Sequence, residues 1–83
     1  MTPDEIIQVK AALNALDRVG RLQEKTLLDH VEIAQCQPLP TMDGKRLIRK
    51  LLEKGWAGSF KDPVLEAIFY VITPDGRNAL LSL

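Results

Sequence analysis

The sequence predicts an α+β fold in which three helices precede a two-stranded β-hairpin and a short last helix. Three segments carry apolar residues at the three- and four-residue spacing of an amphipathic helix, and glycines or prolines end them. Two later segments, separated by Asp62-Pro63, are rich in β-branched and aromatic residues or alternate large and small ones. The 83 residues, 46% of them apolar and 27% charged, are expected to form a single domain over 1–83.

The first helix is predicted over Pro3–Arg18. Thr2 is a suitable N-cap, Pro3 suits the first helical position, and Glu5 is placed to complete a capping box. Gly20 is a suitable terminator. One face carries Ile6, Val9, Leu13 and Leu16, and a second carries Ile7, Ala11 and Ala15. This second stripe either packs within the chain or contacts another chain.

The second helix is predicted over Glu24–Gln35, after an extended link at Arg21-Leu22-Gln23. Its apolar face consists of Leu27, Leu28, Val31 and Ala34. Ile33 falls outside that face, so we expect the last turn to unwind before the two prolines that follow.

The third helix is predicted over Thr41–Lys54, with Thr41 as its cap and Gly55 as its terminator. The apolar stripe consists of Leu47, Ile48, Leu51 and Leu52. The opposite side, which we expect to face solvent, carries Met42, Arg46, Arg49, Lys50 and Glu53.

The predicted hairpin consists of Trp56–Phe60 and Ala67–Ile72, and its aromatic residues are expected to pack in the core and across the strands. Thr73-Pro74 then repeats the Thr-Pro helix start of the N-terminus. The short last helix carries Leu80, Leu81 and Leu83.

Charge is unevenly distributed, although eleven basic and eleven acidic residues give the whole chain a formal net charge of zero. Residues 41–61 contain six basic and two acidic side chains, a local charge of +4. A neutral total argues against indiscriminate binding to nucleic acid, whereas a locally basic segment can orient a domain on a polyanion.

Two motifs resemble the winged-helix form of the helix-turn-helix. One, at the end of the third helix, is Leu51-Leu52-Glu53-Lys54-Gly55-Trp56, similar to the Leu-Glu-x-x-Gly passage into a first wing strand. The other is Tyr70-Val71-Ile72-Thr73-Pro74-Asp75-Gly76-Arg77. It resembles the Tyr-x-Leu-Thr-x-x-Gly-Arg passage of bacterial regulators of the multiple-antibiotic-resistance and phenolic-acid-regulator types. The resemblance spans 21–77 and implies a winged helix.

The resemblance implies a transcriptional regulator that places helix 41–54 in the major groove of double-stranded DNA. Carried over by position, the residues facing bases are Thr41, Met42, Lys45 and Arg46, and those reaching bases or backbone are Arg49 and Lys50. Lys25 and Lys61 are expected to contact phosphate. The wing tip, 62–66, has no Lys or Arg, which departs from the family pattern and argues against insertion into the minor groove.

A homodimer is a second expectation, because a neutral monomer can make only a few phosphate contacts. The candidate interface is formed by the first and last helices, with Ile7, Ala11, Ala15, Leu80, Leu81 and Leu83. Packing of these residues within one chain is an equal alternative. Another reading of the whole domain is a winged-helix module that docks on a protein partner, since Val64 and Leu65 make the wing tip apolar.

The sequence lacks the features that enzymatic activity, metal binding or membrane insertion would need. Neither a catalytic triad nor a Cys–His pair is evident, so we expect no enzymatic activity and no cofactor. His30 and Cys36 are each the single residue of their kind, too few for a metal site. No apolar run approaches the length of a membrane span and no secretion signal is evident, so we expect a cytoplasmic protein.

Overall fold

The computed structural model describes residues 1–83, and its elements follow the predicted order with one additional strand. The helices are α1 (Pro3–Val19), α2 (Glu24–Gln35), α3 (Thr41–Glu53) and α4 (Pro74–Ser82). The strands are β1 (Arg21–Gln23), β2 (Ala57–Asp62) and β3 (Ala67–Ile72). The α+β class is confirmed. No helix is both long enough and apolar enough to cross a bilayer.

The two Thr-Pro sequences begin helices, as predicted. The Thr2 hydroxyl accepts a hydrogen bond from the Glu5 N–H at 3.2 Å, and the Thr73 hydroxyl accepts one from Gly76 at 3.0 Å. The third start differs from the prediction, because Pro40 is the N-cap of α3 and Thr41 is its first helical residue. No side chain caps that end, so its first N–H groups remain directed at solvent.

The residues predicted as an extended link form β1, which pairs antiparallel with β3. Arg21 lies opposite Val71 and Gln23 opposite Phe69, so the sheet has three strands in the order β1-β3-β2. Leu22, between them, is only 6% exposed. Three residues are too few to show strand alternation, so pairing with a strand 46 or more positions away was not predictable from this segment.

The core lies between the three long helices and the inner face of the sheet. Its fully buried large side chains are Val9, Leu13, Leu16, Leu27, Val31 and Leu51. Burying each such side chain contributes about 1.5–3 kcal/mol. The core therefore fixes the orientation of α3, whose outer side is polar.

One apolar side chain on α2 and one on α3 differ from what the sequence predicts. Helix α2 continues to Gln35 without unwinding, so the predicted break is wrong and Ile33 lies 75% exposed on a regular helix. Leu52 was predicted in the buried stripe but is 39% exposed. It lies about 100° around the helix from the fully buried Leu51, beyond the face that the core covers.

Candidate nucleic-acid interface

The outward side of α3 carries an exposed row of one apolar and three basic side chains, here called the α3 ridge: Met42, Lys45, Arg46 and Arg49. Lys45, Arg46 and Arg49 follow Met42 by three, four and seven residues, so the four side chains lie on one helix face. Met42 is 70% exposed. On the opposite side Leu47 and Leu51 are buried, which holds the ridge toward solvent.

Helix α3 contacts α2 at Gly44, where the Leu28 side chain lies close to the α3 backbone. Gly44 is buried, and a Cβ at this position would lie 2.7 Å from Leu28 Cδ1. The loop between the helices is fixed by the Leu39 N–H, which donates to Glu32 Oε1 at 2.9 Å. Leu39 itself is buried. This hydrogen bond and the Gly44–Leu28 contact connect α2 to α3.

Arg46 is paired within its own helix. Its Nη1 lies 3.5 Å from Asp43 Oδ1, and the Arg46 side chain remains 69% exposed. An exposed pair of this kind contributes about 0.3–0.5 kcal/mol to stability. The other ridge cations, Lys45 and Arg49, make no ion pair.

Lys50 does not lie with the exposed cations, contrary to the expectation from helix periodicity. Its ammonium forms an ion pair with the Glu5 carboxylate at the start of α1, and its side chain is 28% exposed. This hydrogen bond is the main cause that lowers the pKa of Glu5. Glu5 therefore contacts α3 instead of completing the predicted capping box.

A cleft of about 230 Å³ lies between the start of α1 and α3. It is lined by the cations Arg46 and Lys50 and by the carboxylates Asp4, Glu5 and Asp43. Three negative groups against two positive ones make the cleft unfavourable for an anion.

Comparison with known proteins gives a fold relationship. No protein-family model and no curated protein matches the chain. Among solved structures, F93 from the archaeal virus STIV, described as a winged-helix DNA-binding protein, matches with a TM-score of 0.66. The match covers 94% of this chain and 78% of that chain, at 17% sequence identity.

The chain has a winged-helix fold. In this fold α2 and α3 are the helix-turn-helix pair, and the β2–β3 hairpin is the wing. The fold predicted from the two motifs is confirmed. Of the other basic residues predicted to contact DNA, Lys25 lies at the start of α2 and Lys61 in β2, and both are exposed without an ion pair.

The wing tip is a hydrogen-bonded turn that exposes two apolar side chains. Asp62 Oδ1 accepts hydrogen bonds from the N–H groups of Val64 and Leu65, each at 2.9 Å. Val64 is 86% exposed and Leu65 is 59% exposed. Because the tip has no cation to offer a phosphate, the structure supplies no electrostatic reason for it to enter a DNA groove.

The outer face of the sheet carries an aromatic pair covered by an arginine. Phe60 and Phe69 stack with centroids 5.9 Å apart, and the Arg21 guanidinium lies 4.4 Å from the Phe69 centroid. Arg21 Nη1 also lies 3.2 Å from Asp62 Oδ2. Phe60 packs across the strands as predicted but remains 41% exposed and is not a core residue.

Asp62 gives the first testable prediction, on acid stability. Its pKa is lowered, first by the Leu65 N–H, then by the Val64 N–H and Arg21. A carboxyl whose native pKa lies below its unfolded pKa stabilises above the unfolded value and loses that contribution as the pH falls through the native value. We expect the free energy of unfolding to fall below about pH 4. The Asp62→Asn variant should show a weaker pH dependence in urea titrations; an unchanged dependence would contradict this assignment.

The residues predicted for a dimer interface divide into three groups by their exposure. Ala15 is 1% exposed and belongs to the chain's own core, so it is not on a free surface. Ala11, Leu80 and Leu83 are half-buried and pack against that core. Ile7 and Leu81 are 49% and 87% exposed. Only these two are large apolar side chains that a second chain can cover extensively.

Cys36 and His30 do not form a site together with other reactive or metal-binding side chains. Cys36 is exposed at the end of α2, in a left-handed conformation with φ 56°. His30 is half-buried on α2. No group of three or more His, Cys, Asp or Glu side chains is arranged to hold a metal ion.

Sequence reasoning missed two acidic residues that modify the interface. Asp43 is three residues before Arg46, and this spacing alone is enough to predict their pairing on a helix. Glu5 is 45 positions from Lys50, and nothing in the sequence indicates that they meet. The number of free cations on α3 is therefore smaller than its sequence suggests.

Proposed function

We propose that this chain is a transcriptional regulator that binds double-stranded DNA with α3 in the major groove. The observation that carries the proposal is the α3 ridge, because its basic side chains are exposed on a helix whose opposite side is buried in a winged-helix fold. The similarity to F93, a DNA-binding protein of the same fold, supports it.

Each ridge residue has a role that follows from its position. The first half of α3, with Thr41, Met42, Lys45 and Arg46, faces base edges. Arg49 contacts bases or the backbone. Lys25 and Lys61, on α2 and the wing, bind phosphate through their unpaired ammonium groups. Lys50 contacts phosphate only when its ion pair with Glu5 is broken.

The proposed active form is a homodimer. Its interface comprises the exposed side chains of Ile7 and Leu81 with the half-buried edge of α1 and α4 around them. A second copy doubles the phosphate contacts of a chain that carries no net charge. Sedimentation equilibrium should show a dimer that Leu81→Glu dissociates, whereas Val64→Glu, at an equally exposed wing position, should leave it intact.

The test of DNA binding is its salt dependence. Three or four phosphate contacts per chain predict that affinity for a random-sequence duplex falls about 40- to 150-fold between 50 and 200 mM salt if one chain binds, and about 2,000- to 20,000-fold if the dimer binds with twice as many contacts. Fluorescence anisotropy with a labelled duplex measures this directly. Binding that is absent at 50 mM salt, or that does not respond to salt, would contradict the proposal.

Breaking the Glu5–Lys50 ion pair is expected to increase DNA affinity. Glu5→Gln removes the carboxylate that competes with phosphate for Lys50, so we expect DNA affinity to rise about threefold at low salt and the salt slope to steepen by up to about 0.9. The double variant Glu5→Gln/Lys50→Ala should lose this gain. A Glu5→Gln variant that binds DNA more weakly than the unmodified chain would show that Lys50 is not a latent phosphate contact.

A second candidate function is docking on a protein partner through the wing. The observation that favours it is the exposure of Val64 and Leu65 at a tip without cations. This alternative would be supported if the chain shows no salt-dependent DNA binding and if Val64→Glu abolishes its binding to a protein partner.

A further inference from the structure

Met42 is the feature of the α3 ridge that phosphate binding does not explain. It is a large apolar side chain, 70% exposed, at the second position of the helix proposed to enter the groove. Lys45, Arg46 and Arg49 follow it at spacings of three, four and seven residues, so all four project from one face. An apolar side chain there can gain free energy only by covering apolar surface on its partner.

The major groove offers one apolar group at the base edges, the C5 methyl of thymine. The methionine side chain is unbranched and polarizable, and it adapts its shape to such a group. No hydrogen bond is needed for this contact, which suits a side chain that offers almost none.

Arg46 differs from the other ridge cations in having a carboxylate beside it. The Asp43 carboxylate, whose Oδ1 lies 3.5 Å from Arg46 Nη1, offsets part of the guanidinium charge and so weakens its attraction to phosphate. The guanidinium N–H groups not directed at Asp43 remain free to donate. Two parallel donors match the O6 and N7 acceptors of guanine. Arg46 is therefore better suited to a base edge than to the backbone.

The separation of the two side chains sets the spacing of the bases. Four residues of α-helix correspond to about 6 Å along the axis, and successive base pairs are about 3.4 Å apart. We propose that the preferred duplex site contains a thymine whose methyl group contacts Met42 and a guanine bound by Arg46, within about two base pairs of each other. This inference rests on the proposed DNA binding and adds the chemistry of the site.

The experiment begins with selection of bound duplexes from a random library by the full chain. The selected sites should share thymine and guanine within about two base pairs. Replacing that thymine by uracil removes only the methyl group and should weaken binding about fourfold. Replacing the guanine by 7-deazaguanine removes one acceptor and should weaken binding about five- to tenfold.

Paired variants assign each effect to a side chain. In Met42→Ala, replacing thymine by uracil should no longer weaken binding, whereas replacing guanine by 7-deazaguanine still should. In Arg46→Ala, the uracil replacement should still weaken binding and the 7-deazaguanine replacement should not. Met42→Leu, which keeps an apolar surface, should retain the uracil effect. Both side chains are exposed, so the variants should keep the fold, which circular dichroism verifies.

The experiment distinguishes a failure of this inference from a failure of the proposed DNA binding. If the chain binds DNA with a steep salt dependence but the uracil effect is absent, or is the same in Met42→Ala, the assignment of thymine to Met42 is wrong and DNA binding stands. If no duplex is bound at low salt, both the proposed function and this inference are overturned.

Discussion

Gly76→Ala should destabilise the fold by about 3 kcal/mol or more, the largest effect we expect from adding one methyl group to this protein. An added Cβ would lie 2.0 Å from the Trp56 carbonyl oxygen and 2.9 Å from Ile72 Cγ1. The first of these is a backbone atom, so a side-chain rotation cannot relieve the clash. Helix propensity alone predicts the opposite sign, because alanine is favoured over glycine within a helix by about 1 kcal/mol.

The clash cannot be avoided by a small shift, because the same segment is held by hydrogen bonds. The Thr73 N–H donates to the Trp56 carbonyl at 3.1 Å, and the Thr73 hydroxyl donates to the Gly55 carbonyl at 2.6 Å. These bonds join the end of α3 to the start of α4. Moving α4 away from Trp56 would therefore break the connection that positions the first wing strand.

Gly58→Ala is the matched control. A Cβ at Gly58 would meet only Val71 Cγ2 at 3.8 Å, an ordinary contact. Urea denaturation of the two variants should give a large loss of unfolding free energy for Gly76→Ala and a change within about 1 kcal/mol for Gly58→Ala. Equal losses in the two variants would contradict the assigned close approach of α4 to Trp56.

The second large effect is expected on DNA binding. Arg46→Ala and Arg49→Ala should each reduce affinity for a selected site about tenfold or more, through loss of base or phosphate contacts. Arg46→Ala should also relax sequence preference. Neither side chain is part of the core, so thermal unfolding should change little.

Arg18→Ala is the control for the loss of a positive charge. Arg18 is exposed in the last turn of α1, whereas the contact of α1 with α3 lies at its first turn, through Glu5. Removing Arg18 changes net charge by the same amount and should alter affinity less than threefold. An equal loss for all three variants would show that only overall charge matters and that α3 has no special role.

The ends of the helices could be predicted because they depend on residues only a few positions apart. The Thr-Pro starts of α1 and α4 depend on one hydroxyl and one N–H three residues apart, and both form as the sequence predicts. Gly20 ends α1 with φ 98°, a conformation that a glycine adopts readily. These features need no knowledge of the rest of the chain.

Features that depend on distant contacts were not predictable. β1 exists because β3 supplies its partner, and the role of Gly76 depends on a carbonyl twenty positions away. At the candidate site the exposure of Met42, Arg46 and Arg49 follows from helix periodicity. The withdrawal of Lys50 does not, because its partner Glu5 comes from another helix.

The most direct test of α3 as the DNA-binding surface is a map of backbone amide chemical-shift changes as the full chain is titrated with a short duplex at low salt. We predict the largest changes in 41–50, with smaller ones near Lys25 and Lys61 and almost none at the wing tip. Changes concentrated in 62–68, or on α1 and α4 with α3 unaffected, would contradict the proposal.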